Sequence, residues 1–317
     1  MELAPVILFA YNRPELVYET LRSLSANLLA DVSKLIIFSD GPKPNFDTNE
    51  IRKIEEVRRI LRLEQWCASV EIREAAVNKG LANSVIDGVT EVIEKCGKVI
   101  VLEDDVILSP FFLSYMNAAL NKYEDRKQVM AIGSWTYFTR RDFKGEPFFF
   151  RFVDSIAWGT YKRSWDLFEK DSLKMLQKLN EQSLLTTFNG FRNIGYFEPM
   201  FQKQIEGKID SWAIRWTATT ILNGGLSVFP PVSMAKHMGF TKDSTHEKDT
   251  VDYNADLPLA TEEVLNMPDT ISEHPEAIAD WRKFIRTTVL DVGSRKRKYL
   301  NIIREDIPAF LHRLLGS

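Results

Sequence analysis

Short apolar runs alternate with amphipathic segments through the first third of the chain. Residues 5–12 form an apolar run that ends in the turn Asn12-Arg13-Pro14, which predicts a buried strand followed by a helix over residues 15–28. The same alternation continues, with predicted strands over residues 34–44, 69–75 and 98–110 and predicted helices over residues 50–63 and 81–95. Strands separated by helices indicate βαβ units, a mainly parallel sheet, and ligand binding beyond the carboxyl ends of its strands.

Beyond residue 110 the pattern is less regular. The predicted elements are helices over residues 111–123, 172–185 and 200–205, a strand in VMAIGSW, and an aromatic stretch that enters a helix near Arg163. From His237 onward a polar, Gly-containing composition predicts a mobile loop, and residues 277–303 again have helical patterning. We expect an α/β protein with helical structure at its C-terminal end.

Composition narrows the class of protein. The chain has 317 residues, 44% of them hydrophobic and 27% charged, which is enough to bury one large core. Its net charge of −3 gives no electrostatic reason to expect a nucleic-acid partner. Cys67 and Cys96 lack the spacing of a zinc or redox motif, which favours a reducing, cytoplasmic setting. The N-terminal apolar run is too short for a membrane span and has no basic start, so we expect neither a signal peptide nor an anchor.

The most informative polar segment is Glu103-Asp104-Asp105, within the fourth predicted strand. Three adjacent carboxylates repel one another unless a cation or solvent relieves them. Oxygen ligands suit Mn²⁺ or Mg²⁺, which bind through one or two carboxylates together with substrate phosphates. Because alternate side chains of a strand share a face, Glu103 and Asp105 are expected to project together while Asp104 points away. A solvated acidic turn is the usual explanation of such a triplet, but its position at the end of a buried strand favours a metal site.

Two polar loops follow other predicted strands. Asp40-Gly41 comes after the second strand, and Asn78-Lys79-Gly80 comes after the third. Each by itself is typical of an ordinary turn. Since parallel strands end at one edge of a sheet, both loops are expected to converge with the acidic triplet on one rim.

Taken in order, these segments resemble a known family of enzymes. The segments FAYNRP, SDG, NKGL and VLEDDVILSPFFLSYM are similar to those of GT-A glycosyltransferases, in particular the eukaryotic N-acetylglucosaminyltransferases that initiate complex N-glycan branching. SIAWGTYKRSW, IDSWAIRW and HMGFTKDSTH are similar to the family's acceptor-side turn, its Asp-Asp-Trp segment and its donor-covering loop. The resemblance covers residues 5–246 in motif order. It implies a GT-A (Rossmann-like) fold and transfer of a sugar from a nucleotide diphosphate sugar, with UDP-sugar favoured, to an acceptor hydroxyl with inversion.

The resemblance also implies a division of the chain. Residues 1–250 would form the GT-A domain, with a donor half at 1–110, an acceptor half at 111–236 and a donor-covering loop at 237–250. Residues 251–317 would form a C-terminal helical extension.

For individual residues, the resemblance implies that Asp105 ligates a Mn²⁺ or Mg²⁺ ion on the donor diphosphate. Glu103 and Asp104 would contact the sugar or the ribose. The other donor-binding residues lie in the loops after the strands and in the donor-covering loop, and they are Ala10, Tyr11, Asn12, Arg13, Asp40, Asn78, Lys79, Gly80, Lys242, Ser244 and His246.

The position of the catalytic base departs from the family. The family's base is the second Asp of its Asp-Asp-Trp segment, and this chain has Asp210-Ser211-Trp212 there. Serine is not a simple general base near neutral pH, so we expect Asp210 to be the catalytic base. A helix N-cap at Asp210 fits the same sequence equally well.

The acceptor is expected to be a glycan or a lipid-linked glycan. Trp158 and Trp212 are the predicted acceptor-binding residues, with Trp135 completing a stacking wall, although tryptophans in a domain of this size more often belong to the core. Near the C-terminus, the basic cluster at 295–298 precedes Leu300, Ile303 and Phe310. If exposed together, residues 295–315 would make a peripheral contact with an anionic membrane surface.

Two other functions remain compatible with the sequence. A sugar-nucleotide pyrophosphorylase has a related α/β domain and an acidic metal site, but it usually opens with a Gly-rich phosphate loop, and this chain has Tyr11-Asn12-Arg13-Pro14 at that place. A non-catalytic nucleotide-sugar-binding module would explain why Ser211 replaces the family's base.

Overall fold

The computed structural model describes residues 2–45, 47–138, 145–190, 195–238 and 257–289. Its strands are Val6–Ala10 (β1), Lys34–Ser39 (β2), Ser69–Glu74 (β3), Lys98–Glu103 (β4), Val106–Leu108 (β5), Val129–Gly133 (β6), Phe148–Phe150 (β7), Ala157–Tyr161 (β8), Leu226–Phe229 (β9) and Ala235–His237 (β10). Its α-helices are Pro14–Ser25 (α1), Thr48–Leu61 (α2), Leu81–Cys96 (α3), Phe112–Lys122 (α4), Lys162–Trp165 (α5), Ser172–Glu181 (α6), Leu185–Phe188 (α7), Glu198–Ile205 (α8), Trp212–Leu222 (α9) and Pro275–Phe284 (α10). A 3-10 turn at Ala30–Val32 and a π-helical turn at Ile285–Val289 complete the described elements.

An eight-stranded sheet organises the fold, in the order β3-β2-β1-β4-β8-β6-β9-β7. The first four of these strands pair in parallel and are connected by α1, α2 and α3. The other half is mixed, because β8 runs antiparallel to both β4 and β6. The predicted α/β class is confirmed: a large central sheet is flanked by helices, and its parallel half has the Rossmann-like strand order β3-β2-β1-β4. The loops after β1, β2 and β3 therefore share one rim with the end of β4.

The central strands β1 and β4 of the parallel half are buried on both faces, whereas the edge strand β3 is partly exposed. All five residues of β1 are buried. Its uninterrupted apolar sequence VILFA is typical of a central parallel strand, which is covered on both faces. Helix α3 approaches β1 closely through Gly88, where a Cβ atom would stand 2.8 Å from two carbons of the Phe9 ring. Phe9 in turn stacks on Phe38 of β2, with 5.3 Å between ring centroids. This packing holds the loop before α3 against the ends of β1 and β2.

The predicted strand over residues 98–110 is in fact two strands. β4 ends at Glu103, Asp104 and Asp105 form a turn, and β5 leaves the main sheet to pair antiparallel with β10. The prediction is a single strand interrupted by the three acids. The two parts instead belong to different sheets, because the hydrogen bonds of β5 are made with a segment far along the chain. The register places Val106 opposite His237, which brings that histidine next to the acidic triplet.

Residues 257–289 pack across the fold rather than extending away from it. Ala260 is joined to Ser109 and Ser233 by hydrogen bonds, and the Tyr123 hydroxyl donates to the Pro268 carbonyl at 2.7 Å. Trp281 of α10 is buried in an aromatic cluster beside β7. Across the described ranges, we find no helix with the length and apolar character needed to cross a bilayer.

Candidate active site

A buried aspartate ties the loops of the rim together. The carboxylate of Asp40 accepts hydrogen bonds from the backbone N–H groups of Gly41 at 2.8 Å, Lys79 at 2.9 Å and Gly80 at 3.1 Å. The backbone N–H of Asp40 donates to the carbonyl of Ala10 at 2.9 Å. Four of the predicted donor-binding residues therefore meet at this point, and the charge of Asp40 is used to order the loops.

The glycines of these loops have a steric role. A Cβ atom at Gly41 would lie 2.6 Å from the backbone nitrogen of Val77. The two loops could therefore not approach this closely if any other residue replaced Gly41. Gly80 has a φ of 77°, in the left-handed region that glycine favours. Asn78 adds a further contact between the loops, because its Nδ2 donates to the Gly41 carbonyl at 3.1 Å.

Asp104 organises the loop after β1. Its Oδ2 accepts from the backbone N–H of Tyr11 at 3.0 Å, and its Oδ1 lies 3.9 Å from Nη1 of Arg13. Burial, followed by the neighbouring charge of Asp105, raises the pKa of Asp104 to about 7. Asp104 is therefore the link between the acidic triplet and the segment from Ala10 to Arg13.

Asp105 lies between two basic side chains. Its Oδ2 is 2.5 Å from Nη1 of Arg13 and 3.2 Å from Nε2 of His237, and its backbone carbonyl accepts from the N–H of Met238 at 2.7 Å. Burial works to raise the pKa of Asp105, but the hydrogen bond and charge of His237, together with those of Arg13, hold that pKa below its ordinary value. This arrangement keeps the Asp105 carboxylate ionised.

The second oxygen of Asp105 tests whether the site fits a metal ion. Oδ1 is buried and has no hydrogen-bond partner, a costly state for a carboxylate oxygen unless a cation completes it. In the described part of the chain, no group of three or more His, Cys, Asp or Glu residues is arranged to hold an ion by itself. The residues present thus fit a Mn²⁺ or Mg²⁺ ion whose other ligands would be phosphate oxygens of a bound molecule. They do not fit an ion held by protein side chains alone.

Glu103 is the last residue of β4, and Asp104 and Asp105 form the turn that follows it. The alternation of faces expected along an extended strand therefore ends at Glu103, and both aspartates approach Arg13. Burial, and then the charges of Asp105 and Asp104, raise the pKa of Glu103 well above its ordinary value.

Asp210 lies immediately before helix α9 but does not cap it. The N-cap is Ser211, whose Oγ accepts from the N–H of Ile214 at 3.4 Å. Asp210 forms an ion pair with Arg215, with 2.6 Å between Oδ1 and Nη2, and its side chain is 53% exposed. The alternative of Asp210 as the N-cap is therefore wrong, and a half-exposed carboxylate stands two residues before Trp212.

The predicted acceptor-binding tryptophans belong to the core. Trp158 is 0% and Trp212 3% exposed, and their rings stack with centroids 5.0 Å apart. Trp165 and Trp216 complete the cluster between β8, α5 and α9. This corrects the expectation that the two rings offer a stacking surface to a sugar, since packing among four indoles leaves neither ring face open.

Some predicted residues lie outside the described residues. These are Lys242, Ser244 and His246 of the donor-covering loop, and residues 295–315. The described chain on either side of 239–256 is anchored near the triplet: Met238 donates to Asp105, and Ala260 accepts from the hydroxyl of Ser109 at 2.6 Å.

Two contacts at the rim are not predicted from the sequence. His237 belongs to β10, and the segment MAKH has no apolar-polar alternation that would indicate a strand. Arg58 of α2 reaches under the rim, where its Nη2 donates to the Ala75 carbonyl at 2.7 Å and lies 3.5 Å from the Asp40 carbonyl. No sequence signal distinguishes Arg58 from the other basic residues of its charged helix.

Comparison with known proteins gives a limited match. No family model matches the chain. The alpha-1,3-mannosyl-glycoprotein 2-beta-N-acetylglucosaminyltransferase of Arabidopsis thaliana is 32% identical over 75 residues, which is 23% of this chain and 17% of the plant enzyme. The crystal structure of S. aureus TarS aligns with a TM-score of 0.28 and 12% identity, over 43% of this chain and 22% of that one, a likeness too low to carry an argument. The similarity to the plant enzyme is local, since it covers less than a fifth of that enzyme's length.

Proposed function

We propose that this protein is a metal-dependent glycosyltransferase that moves a sugar from a nucleotide diphosphate sugar, with UDP-sugar favoured, to a hydroxyl of a glycan or lipid-linked glycan. The observation that carries the proposal is the state of Asp105. Its carboxylate is buried at the rim of a parallel sheet, with one oxygen between Arg13 and His237 and the other without a hydrogen-bond partner. A divalent ion with a diphosphate satisfies this combination of charges and open coordination.

The donor end of the site is assigned to the rim. Asp105 would hold the Mn²⁺ or Mg²⁺ ion with His237 beside it, and the bound ion would supply Lewis-acid stabilisation of the departing diphosphate. Arg13 offers a guanidinium group to the same phosphates. A cavity of about 210 Å³ lies next to Asp40, between α3 and the ends of β2 and β3. It offers room for the nucleoside.

Activation of the acceptor is assigned to Asp210. Its carboxylate is accessible, and the ion pair with Arg215 restricts its orientation at the start of α9. Asp210 would accept the proton of the attacking hydroxyl as the new glycosidic bond forms and the bond to the diphosphate breaks. Inversion at the anomeric carbon is part of the proposal through the family resemblance.

Calorimetry and slow donor hydrolysis test the proposal together. UDP-glucose, UDP-N-acetylglucosamine and GDP-mannose are titrated with Mn²⁺ and again with excess chelator, and released nucleotide is then followed over time. We expect at least one nucleotide sugar to bind and to hydrolyse slowly, in a way that the chelator abolishes. Failure of all three to bind in the presence of Mn²⁺ would reject the proposal.

A non-catalytic nucleotide-sugar-binding module is the second candidate. The observation in its favour is Ser211, which occupies the family's base position but uses its hydroxyl to cap α9. This candidate predicts metal-dependent binding with neither hydrolysis nor transfer to a panel of glycan acceptors. Any metal-dependent transfer excludes it.

A further inference from the structure

Arg58 of α2 lies where β2 and β3 separate. The ladder between the two strands ends at the pair of Ser39 with Glu74, so the carbonyls of Asp40 and Ala75 lie beyond it. Nη2 of Arg58 donates to the Ala75 carbonyl at 2.7 Å and lies 3.5 Å from the Asp40 carbonyl. One guanidinium group therefore contacts the backbone at both strand ends.

Two side-chain contacts complete this arrangement. Nε of Arg58 lies 3.5 Å from Oγ of Ser39, and Nη1 lies 3.8 Å from Oε2 of Glu74. The planar guanidinium group suits this role, because its N–H groups point in fixed directions toward several acceptors at once. The ammonium group of a lysine is a compact point charge and cannot bridge the same set of acceptors.

The packing of α2 fixes the direction from which Arg58 reaches the strands. Val57 and Leu61 are 0% and 1% exposed and belong to the apolar core. The helix is therefore held on both sides of Arg58, whose side chain is 25% exposed. The side chain of Arg59 is 59% exposed and pairs with Glu56 of the same helix at 2.6 Å. The two adjacent arginines thus differ in what they contact.

The four residues that Arg58 contacts also line the cavity beside Asp40. They are Ser39, Asp40, Glu74 and Ala75, and the cavity has a volume of about 210 Å³. Arg58 is not part of the lining, so it supports the wall from outside the cavity. A change at Arg58 therefore acts on a ligand in the cavity only through the positions of these four residues.

The same contacts help to place the Asp40 carboxylate. The N–H of Asp40 donates to the Ala10 carbonyl at 2.9 Å, and its own carbonyl faces Arg58. The carboxylate accepts from the backbone N–H groups of Lys79 at 2.9 Å and Gly80 at 3.1 Å. A displaced Asp40 backbone would therefore move the loop that carries Lys79, another residue of the cavity lining.

We propose that Arg58 is a positioning residue for the nucleoside part of the donor, because it holds the ends of β2 and β3 so that the cavity keeps its shape. The inference rests on the proposed function, which assigns a nucleotide to this rim. Arg58 makes no contact with the ligand itself, and the diphosphate lies at Asp105 and Arg13. Loss of the guanidinium group therefore weakens binding of the nucleoside and spares binding of the diphosphate.

The variant Arg58→Met tests this division, because methionine keeps an unbranched apolar side chain and removes every guanidinium contact. Affinities for UDP, GDP and inorganic pyrophosphate are measured by calorimetry with Mn²⁺, since pyrophosphate has the diphosphate without the nucleoside. We expect Arg58→Met to weaken binding of the nucleotide that the wild type prefers by about tenfold, while pyrophosphate binding stays within about twofold. The matched control is Arg59→Met, which removes the same charge one residue along the helix and should bind all three as the wild type does.

The pattern of losses separates positioning from a merely structural role. Equal weakening of nucleotide and pyrophosphate, the same loss in Arg59→Met, or unchanged nucleotide affinity in Arg58→Met overturns the inference and leaves the proposed function standing. Pyrophosphate affinity equal to that of the preferred nucleotide in the wild type also overturns it, because the cavity then holds no nucleoside. If the wild type binds neither nucleotide with Mn²⁺, the proposed function fails, and the inference fails with it.

The milder variant Arg58→Lys covers the case in which Arg58→Met does not fold or pyrophosphate binds too weakly to measure. Slow hydrolysis of the preferred nucleotide sugar is followed with Mn²⁺. We expect the KM to rise by about three- to tenfold and the kcat to stay within about twofold, because the reacting centre at the diphosphate is not touched. A lowered kcat with an unchanged KM, or wild-type values of both, overturns the inference.

Discussion

His237 lies 3.2 Å from Asp105, measured from Nε2 to Oδ2, although the two residues are far apart in the chain. The antiparallel pairing of β5 with β10 creates this proximity, because it places His237 opposite the residue that follows Asp105. The same carboxylate oxygen accepts from Arg13. One oxygen of this carboxylate thus lies between a guanidinium and an imidazole, and the other is buried without a hydrogen-bond partner.

Asp105→Ala is expected to abolish metal-dependent nucleotide binding and to leave the fold intact. The substitution removes the proposed ligand from the end of the sheet, not from the apolar core. Calorimetry with UDP and Mn²⁺ measures the loss, and circular dichroism measures the fold. Asp31→Ala, at an exposed position in the 3-10 turn, is the matched control and should bind as the wild type does. Unchanged affinity and metal dependence in Asp105→Ala would reject the metal assignment.

Asp210→Asn is expected to lower turnover by roughly two to four orders of magnitude, with donor affinity nearly unchanged, because general-base catalysis is lost. Steady-state kinetics with an acceptor provide the measurement. Ser211→Ala is the informative neighbour: loss of the cap should destabilise the protein by about 1 kcal/mol and change turnover little. Full activity in Asp210→Asn would redirect the search for the base.

Gly41→Ala is expected to weaken nucleotide binding by about tenfold or more while most of the fold persists. A Cβ atom at this position meets the Val77 backbone at 2.6 Å, and backbone atoms cannot move aside as a flexible side chain can, so the two loops must separate. Calorimetry with UDP and Mn²⁺ checks the affinity. Gly145→Ala is the control, since the Cβ position of Gly145 is open, while its positive φ of 71° adds a backbone strain that Gly41 does not have. Equal effects of the two substitutions would contradict the role of Gly41 in joining the loops.

Asp154 should impose a pH dependence on stability. Burial raises its pKa to about 6, although its carboxylate accepts from the backbone N–H groups of Ser134, Trp135 and Ile156. A folded-state pKa above the unfolded value means that folding takes up a proton, so the contribution of Asp154 to stability falls as the pH rises from about 4 to about 6 and is constant above that range.

Asp154→Asn tests this dependence. The variant should be less stable than the wild type, because its amide cannot accept all three backbone bonds, but the difference should narrow as the pH rises through that interval. Urea denaturation without metal at several pH values measures the difference. A gap that widens with pH would contradict the sign.

The parallel half of the fold could be predicted from the sequence. β1, β2 and β3 are apolar or alternating runs separated by amphipathic helices, and the observed strands and α1, α2 and α3 fall within a few residues of the predicted positions. Local periodicity carries this information because central parallel strands are buried on both faces and the helices on one. The convergence of Asp40, Lys79 and the acidic triplet on one rim follows from the same topology.

Long-range pairing decided the remainder. The acidic triplet interrupts one predicted strand, but β10 draws β5 out of the main sheet, so Asp104 and Asp105 form a turn beside Arg13. The sequence by itself determined which residue types could bind a metal and a nucleotide sugar, and the order of the βαβ units that carry them. Only the tertiary structure decided which oxygen of Asp105 is buried without a hydrogen-bond partner and that His237 is its neighbour. It also decided that Trp158 and Trp212 belong to the core. The physical reason is that these outcomes depend on contacts between segments distant in sequence, whose pairing no local pattern of apolar and polar residues encodes.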